Sequence, residues 1–424
     1  MKKPNRFPAA IYFSLGTVIL LLVSNSVLAQ NQSSLEDMRE LYQMHTPENF
    51  DDGGLISRYV WKNFASFYPH ATIARTSALR PLKVATNNAV ASFQVTTESG
   101  VSSLHDYVNS SPLVDGLIVV AGGNVVYESY PAMEPFERHL GWSITKVIVS
   151  TALAALENQG KVDMNMPAEI YVPELNGSQW QGISLRNIAN MASGISCLDS
   201  DGYQNTESCI YRYEESLGLT APVNPPTATL ENLTNMRRHL PAGEKYEYVS
   251  ANTFVIGLVV ANVTGQPLWL ALQDLVWNKI GAEADALMMI SPDGTPATHG
   301  GISARLRDIA RFGQIFTSDS GLGVIDRNYL PDLGLDKGVA FDTAQREALE
   351  QIFPSDVPSH AAWQWDMIWP DGAMFKGGYS GQGIFVDPNQ DVVIAWYGTD
   401  SIEGEQNSLL PISRRLAESI LFEN

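Results

Sequence analysis

Cysteine is almost missing from this chain: there are two in 424 residues. That excludes a disulfide-dense scaffold and a thiolate zinc module, and a chain of this length buries an adequate core without either. Histidine is also sparse. The seven His are scattered, with no His-Glu-x-x-His and no Cys/His cluster at metal-ligand spacing. A zinc enzyme is therefore not expected, and nothing asks for a metal or cofactor. Basic residues are few: 27 Lys and Arg face 46 Asp and Glu, for a net charge of −19. Nucleic-acid binding needs clustered Lys and Arg, and an anionic membrane surface repels such a chain, so both partners are argued against. The sequence shows no repeats and no low-complexity tract, and its 45% hydrophobic and 17% charged content is ordinary for a globular protein.

The mostly apolar run near the N-terminus, Ile11 to Val23, has 13 residues, too few to span a bilayer comfortably. Lys2, Lys3 and Arg6 precede it, and Val27-Leu28-Ala29 follows as a small-x-Ala site before Gln30. Residues 1–29 thus read as a secretory signal peptide; an uncleaved anchor helix is the alternative. No Cys follows the run, so a lipoprotein is not expected. The expectation is a periplasmic or secreted protein with no stable membrane anchor once the signal is removed. In such an oxidising compartment Cys197 and Cys209 are expected to pair and pin a short polar loop, two free thiols being the alternative.

Residues 30–100 read as an irregular lead-in, and 101–424 as the main domain, with the boundary near the Ser/Thr-rich stretch Thr86 to Val101. Gly116 to Val120 and Val125 to Glu128, joined by Ala121-Gly122-Gly123-Asn124, predict a β-hairpin. A helix is predicted over 143–159, closed by Gly160, and another over 252–263, stopped by Thr264-Gly265. Ile302 to Phe316 reads as a further helix. Three late strands are predicted, Ala361 to Trp369, Ala373 to Asp387 and Val392 to Tyr397. A last amphipathic helix has Leu409, Ile412, Leu416 and Ile420 on one face. Strands early and late with helices between make this α+β: an antiparallel sheet flanked by helices, plus a mainly helical insertion domain.

The sharpest chemical feature is Gly141-Trp142-Ser143-Ile144-Thr145-Lys146, directly before the apolar run Val147 to Leu156. Ser and Lys three residues apart share one helix face. A buried Lys loses its proton readily, and a neutral Lys can accept the serine proton. Ser-x-x-Lys alone is a weak motif, and its bland alternative is an N-cap Ser with a solvated Lys. A Lys in the first turn of an apolar helix opposes the helix dipole, which favours a chemical role. A second feature is the loop ending Glu247-Tyr248-Val249-Ser250-Ala251-Asn252. Tyr248 there is placed to relay a proton, and Tyr246 is a packing candidate. The third is Phe375-Lys376-Gly377-Gly378-Tyr379-Ser380-Gly381-Gln382, where glycines let a ligand approach the backbone and the N–H just past Gly378 is a candidate oxyanion donor.

Taken in order, these three features resemble the serine β-lactamase and penicillin-binding-protein superfamily. The segment from Ile183 to Gly194 resembles its class C branch. Tyr248 to Thr253, Gly300-Gly301, Arg307 to Gly313, Gly378 to Gln382 and Val386-Asp387-Pro388 look most like the 6-aminohexanoate-dimer hydrolases and related esterases. The resemblance covers about residues 100–424. It implies that Ser143 is acylated, that Lys146 and Tyr248 handle its proton, and that the backbone N–H groups of Ser143 and Tyr379 form the oxyanion hole. It further implies substrate contacts from Lys376, Gly378 and, through a looser alignment, Tyr203. Two departures stand out: Ser250 replaces the Asn of the β-lactamase Tyr-x-Asn motif, and Gly377 replaces the hydroxyl residue after the strand Lys. Both losses weaken penicillin recognition without harming acylation chemistry.

The reading is an exported serine hydrolase acting on a small ester or amide. A β-lactamase or D-Ala-D-Ala carboxypeptidase is the alternative, and a non-catalytic binding protein is the third. An α/β-hydrolase is rejected, because Gly378 to Gln382 lacks the last Gly of Gly-x-Ser-x-Gly and has no helix after it. Trp363, Trp365 and Trp369 read as sheet packing, with lining of the cleft as the alternative. Arg307 with Asp308 reads as a helix-anchoring pair. His299 has no evident partner and reads as structural.

Overall fold

The computed structural model describes residues 35–47, 49–97, 100–317, 322–325 and 329–422; the predicted signal peptide lies outside them. The apolar run Leu117 to Val120 is unbroken because its strand is covered on both faces. Leu117 and Val119 pack toward the helices Leu104–Ser110 and Leu409–Ala417, whereas Ile118 and Val120 belong to the core shared with Ile144–Asn158 and Leu306–Gly313. Side chains that alternate across a strand become apolar on both sides when both are buried.

That strand, Val114–Ala121, sits inside a nine-stranded sheet. The order is Val339–Ala340, His360–Ala362, Trp365–Ile368, Met374–Gly378, Gln382–Asp387, Val392–Gly398, Val114–Ala121, Asn124–Ser129 and Lys83–Val84. All neighbours are antiparallel except the last pair. Early and late chain meet at its centre, where Val119 pairs with Ile394. A four-stranded sheet of His70–Ile73, Ala286–Met289, Ile302–Arg305 and Arg138–Leu140 lies in the same chain. Its last strand runs straight into Gly141-Trp142-Ser143 and the helix Ile144–Asn158. This helix and Ser250–Thr264 are the two deeply buried ones, with Lys146 among the buried residues of the first. Between them in sequence lie short helices and loops, the helical insertion.

Three sequence expectations are corrected. Residues Ile302–Arg305 form a strand, paired to Arg138–Leu140 on one side and Ala286–Met289 on the other, and the helix starts only at Leu306. A seat between two strands overrides local helix preference. The late strands number five: Trp363 and Gln364 (φ 50° and 70°) split the first prediction, and Ser380 and Gly381 (φ 58° and 100°) split the second. Hairpin turns of two or three residues with positive φ are easily hidden inside an apolar run. The lead-in is not irregular: it carries the helices Leu35–Met44 and Gly54–Lys62, and Phe50, Trp61 and Phe64 are buried in the core. Among the described residues no single helix is long and apolar enough to cross a membrane.

Candidate active site

Ser143 enters its helix from a strained turn, with Trp142 at φ 46°. It is the N-cap of Ile144–Asn158, yet its side chain caps nothing, which leaves the hydroxyl for other contacts. The Lys146 Nζ lies 2.8 Å from Ser143 Oγ and donates at 2.8 Å to the His299 carbonyl. Lys146 is fully buried. Burial pushes its ammonium down from 10.5 to about 7; Asp199 opposes that shift and Lys376 adds to it. An amine in this state is available as a base at neutral pH.

Tyr248 sits at the end of the loop before Ser250–Thr264, and its hydroxyl interacts with Ser143. The phenol oxygen accepts from Lys376 Nζ at 2.8 Å. Burial first, then Asp366 and Asp199, push the Tyr248 phenol well above its ordinary value, so it stays protonated. Both ammonium groups lie over its ring, Lys146 at 5.0 Å and Lys376 at 4.5 Å from the centroid. Lys376 projects from Met374–Gly378 and is itself fully buried. Its Nζ pairs with Asp366 at 2.5 Å, and the other Asp366 oxygen accepts the Gly377 N–H at 2.9 Å. The resemblance implies a substrate contact from Lys376, and here a carboxylate of its own chain, Asp366, already pairs with its charge. Sequence reasoning missed Asp366; its signal is an acid within an otherwise apolar strand, Trp365–Ile368.

Gly378 is required by close approach: a Cβ there would stand 2.5 Å from the Gly141 carbonyl oxygen. The hairpin at Tyr379 is thereby pressed against the turn that carries Ser143. The Tyr379 ring packs edge-on to Trp142 at 5.4 Å and lies 6.3 Å from Tyr203. Ser143, Trp142, Tyr203 and Tyr379 line one narrow cleft together with Phe50, Asp51, Glu214 and His299. The structure therefore brings Ser143, Lys146, Tyr248, Lys376, Gly378, Tyr379 and Tyr203 into one neighbourhood. The Tyr203 hydroxyl bonds to Asp199, whose carboxylate also accepts the Ser250 N–H at 2.8 Å and hydroxyl at 2.6 Å. Ser250 thus ties the Tyr203 loop to the second buried helix. The Cys197–Cys209 disulfide, with Cα atoms 5.0 Å apart, closes that loop.

Other expectations resolve differently. His299 does have partners: its Nε2 lies 2.7 Å from Glu214 Oε1, its Nδ1 3.3 Å from the Tyr213 hydroxyl, and its carbonyl holds Lys146. Glu214 was missed because a lone Glu on a short helix gives no sequence signal. Trp363, Trp365 and Trp369 are fully buried; the first packs on Tyr329, the second on Phe316 and the third on Phe353 and Phe385, so they are packing residues. Arg307 and Asp308 anchor their helix through separate partners rather than as a pair: Arg307 through Glu128, and Asp308 by accepting the N–H groups of Glu283 and Ala284. Tyr246 packs against Phe341. Among the described residues no group of acids, His and Cys is arranged to hold a metal.

Known proteins resemble this chain in sequence and fold. A family model described as Beta-lactamase matches residues 114–417. A 6-aminohexanoate-dimer hydrolase from Paenarthrobacter ureafaciens is 30% identical over 318 residues, 71% of this chain and 78% of that protein. A solved structure from Bacillus anthracis, assigned as a 6-aminohexanoate-dimer hydrolase, superposes with a TM-score of 0.73 at 19% identity, covering 88% of this chain and 95% of its own. The structure of EstCE1, a hydrolase with promiscuous acyltransferase activity, gives 0.52 at 15% identity, over 72% and 93%. Those two likenesses concern the fold. With the family match spanning both the Ser143 helix and the Lys376 strand, the chain is a serine hydrolase that belongs to the beta-lactamase family, of the serine β-lactamase/transpeptidase fold.

Proposed function

We propose that this protein is an exported hydrolase that cleaves small amides or esters through an acyl-enzyme on Ser143. The carrying observation is the buried Lys146 amine, lowered to about 7 and 2.8 Å from Ser143 Oγ. Neutral Lys146 takes the hydroxyl proton as Oγ attacks the substrate carbonyl. Tyr248 holds its proton at neutral pH and so acts as an acid, giving that proton to the leaving nitrogen or oxygen. Lys376, whose ammonium burial pushes down while Asp366 opposes that shift, stabilises the phenolate left behind through its hydrogen bond, and the proton on Lys146 then restores the phenol. The N–H groups of Ser143 and Tyr379, on facing walls of the cleft, are the oxyanion donors in this scheme. Water attacks the acyl-enzyme by the same relay.

Two observations weigh against the second reading, a β-lactamase or D-Ala-D-Ala carboxypeptidase. Ser250 and Gly377 stand where those enzymes carry the Asn and the hydroxyl residue, and Ser250 is bound to Asp199. Lys376 is neutralised by Asp366. The hydrolase relative, named for an amide dimer, favours linear amides as the substrate class. Export rests on the signal-like residues 1–29, and the disulfide suits an oxidising compartment.

The test uses protein beginning at Gln30 beside Ser143→Ala. Release from p-nitrophenyl butyrate, with a butyryl-sized mass increase on the quenched wild type alone, is expected. Turnover retained in Ser143→Ala refutes the mechanism. Nitrocefin hydrolysis comparable to ester hydrolysis would favour the second reading. N-terminal sequencing of the exported protein should start at Gln30, and an intact Met1 in that fraction refutes signal removal.

A further inference from the structure

The acid beside Lys376 is placed there by strand register. Met367 pairs with Phe375 and Ile368 with Met374, so the antiparallel ladder carries Asp366 to the position across from Lys376. Residues directly opposite on two strands share a face, and opposite charges there attract. The carboxylate spans two donors. Its Oδ1 takes Lys376 Nζ at 2.5 Å, and its Oδ2 takes the Gly377 N–H at 2.9 Å. An ammonium next to a strand N–H is a ready receptor for a carboxylate. In this chain the receptor is filled from within. Lys376 is fully buried, whereas the Asp366 side chain keeps 19% of its surface exposed, so the pair meets solvent through its acid and not its base. Gly377 lines an open hollow with Gly378 and Tyr379, so this end of the strand borders space that a substrate can enter.

Tyr248 determines which part of a substrate arrives here. Lys376 Nζ lies 2.8 Å from the Tyr248 phenol oxygen, and in the proposed mechanism that phenol meets the leaving atom. A substituent one or two bonds past the leaving atom therefore falls beside Lys376 and Asp366. When the leaving group is a C-terminal amino acid, that substituent is its carboxylate. Such a carboxylate would find both donors already taken. It would also lie against the Asp366 charge, with Asp199 close enough to act on Lys376 as well. Like charges brought together in a half-buried site repel, and rejection of the wrong ligand by repulsion is a common source of specificity.

We propose that Asp366 is a specificity-determining residue: it holds, from within the chain, the place of a carboxylate next to the leaving atom, and so confines the enzyme to leaving groups that lack one. The inference rests on the reading of Ser143 as the acylated residue and of Tyr248 as the acid for the leaving group. It turns away peptides cleaved at a free C-terminal residue. It leaves amides and esters whose leaving group is uncharged near the scissile bond, or bears its charge several atoms away. An ion pair that only tied two strands together would give no such selectivity.

Two esters of one acid test it. Carboxymethyl butyrate and carbamoylmethyl butyrate form the same butyryl-enzyme, release glycolate or glycolamide, and differ only in a carboxylate or a neutral amide one carbon past the leaving oxygen. Wild-type kcat/KM should be about tenfold lower, or less still, on the anion. Asp366→Asn keeps the shape and removes the charge, and it should raise the anion-to-neutral ratio about tenfold or more, the strength of a hydrogen bond to a charged group. Asp366→Ala vacates the place. At constant ionic strength and about pH 8, acetate should raise the Tm of this variant by more than it raises that of the wild type, because a ligand bound to the folded chain stabilises it. Equal kcat/KM on the two esters in the wild type, which needs no variant to fold, overturns the assignment. So does a ratio that Asp366→Asn leaves unmoved, including equal loss on both esters. Those results, with a butyryl mass present on Ser143, leave the hydrolase reading intact. Absence of that mass with either ester overturns the hydrolase reading, and the acetate shift still decides whether Asp366 fills an anion position: no shift beyond that of the wild type refutes it.

Discussion

Replacing Lys146 with Met removes a buried amine while keeping the length of the side chain, and its effect on stability should depend on pH in a calculable way. Folding lowers this ammonium from 10.5 to about 7, mainly by burial. Between those values the unfolded chain binds one proton more than the folded one, so the stability of the wild type rises with pH there. Below about 7 both states are protonated, above 10.5 neither is, and the dependence vanishes. At about pH 7.5 the native amine costs roughly 4 kcal/mol, and at about pH 9.5 roughly 1 kcal/mol. The wild type should therefore gain about 2–3 kcal/mol over Lys146→Met across that window. The bonds lost from Ser143 and the His299 carbonyl are present at both pH values and cancel in the difference. Urea unfolding of both proteins with the disulfide intact, followed by tryptophan fluorescence at the two pH values and compared at equal m, measures it. Parallel pH dependence of the two proteins would refute the depressed amine, and with it the base assigned to Ser143.

In the proposed mechanism the same amine sets the rate. In wild-type protein kcat/KM for a neutral ester should rise about tenfold per pH unit up to about 7 and then level off, as Lys146 loses its proton; a flat profile between pH 5 and 8 contradicts this. Tyr248→Phe should lower kcat by about 10²–10⁴ on an amide and much less on a p-nitrophenyl ester, whose leaving group needs no proton; equal losses on both would remove the acid role. Gly378→Ala should cut activity strongly, because its Cβ would drive the hairpin away from the Gly141 carbonyl, 2.5 Å distant; unchanged kcat/KM argues against that contact setting the site. Replacing Cys197 and Cys209 with Ser opens a loop of 12-residue separation and should cost about 2–3 kcal/mol in chemical unfolding.

Much of this site is visible in one dimension because its chemistry depends on local spacing. Ser143 and Lys146 meet because three residues along a helix is one turn, and an apolar helix around a Lys announces burial of that Lys. The hairpin at Gly122-Gly123 and the helix stop at Gly265 are legible for the same reason: each is decided by a few adjacent residues. The class α+β followed from the order of such elements.

Tertiary structure decided what depends on partners far along the chain. Ile302–Arg305 is a strand only because 138–140 and 286–289 flank it. Asp366 reaches Lys376 across a sheet register, and Asp199 reaches Ser250 from 51 residues away. Asp51 arrives at the cleft from a segment whose sequence has no marked pattern. Charge neutralisation, pKa and pocket shape all come from these long-range meetings, which no local period records. The sequence by itself pointed to the candidate reacting groups, since each sits in a short local motif; only the folded chain brought those motifs together and decided their protonation states and what else lines the cleft, because burial and Coulomb interaction act through space.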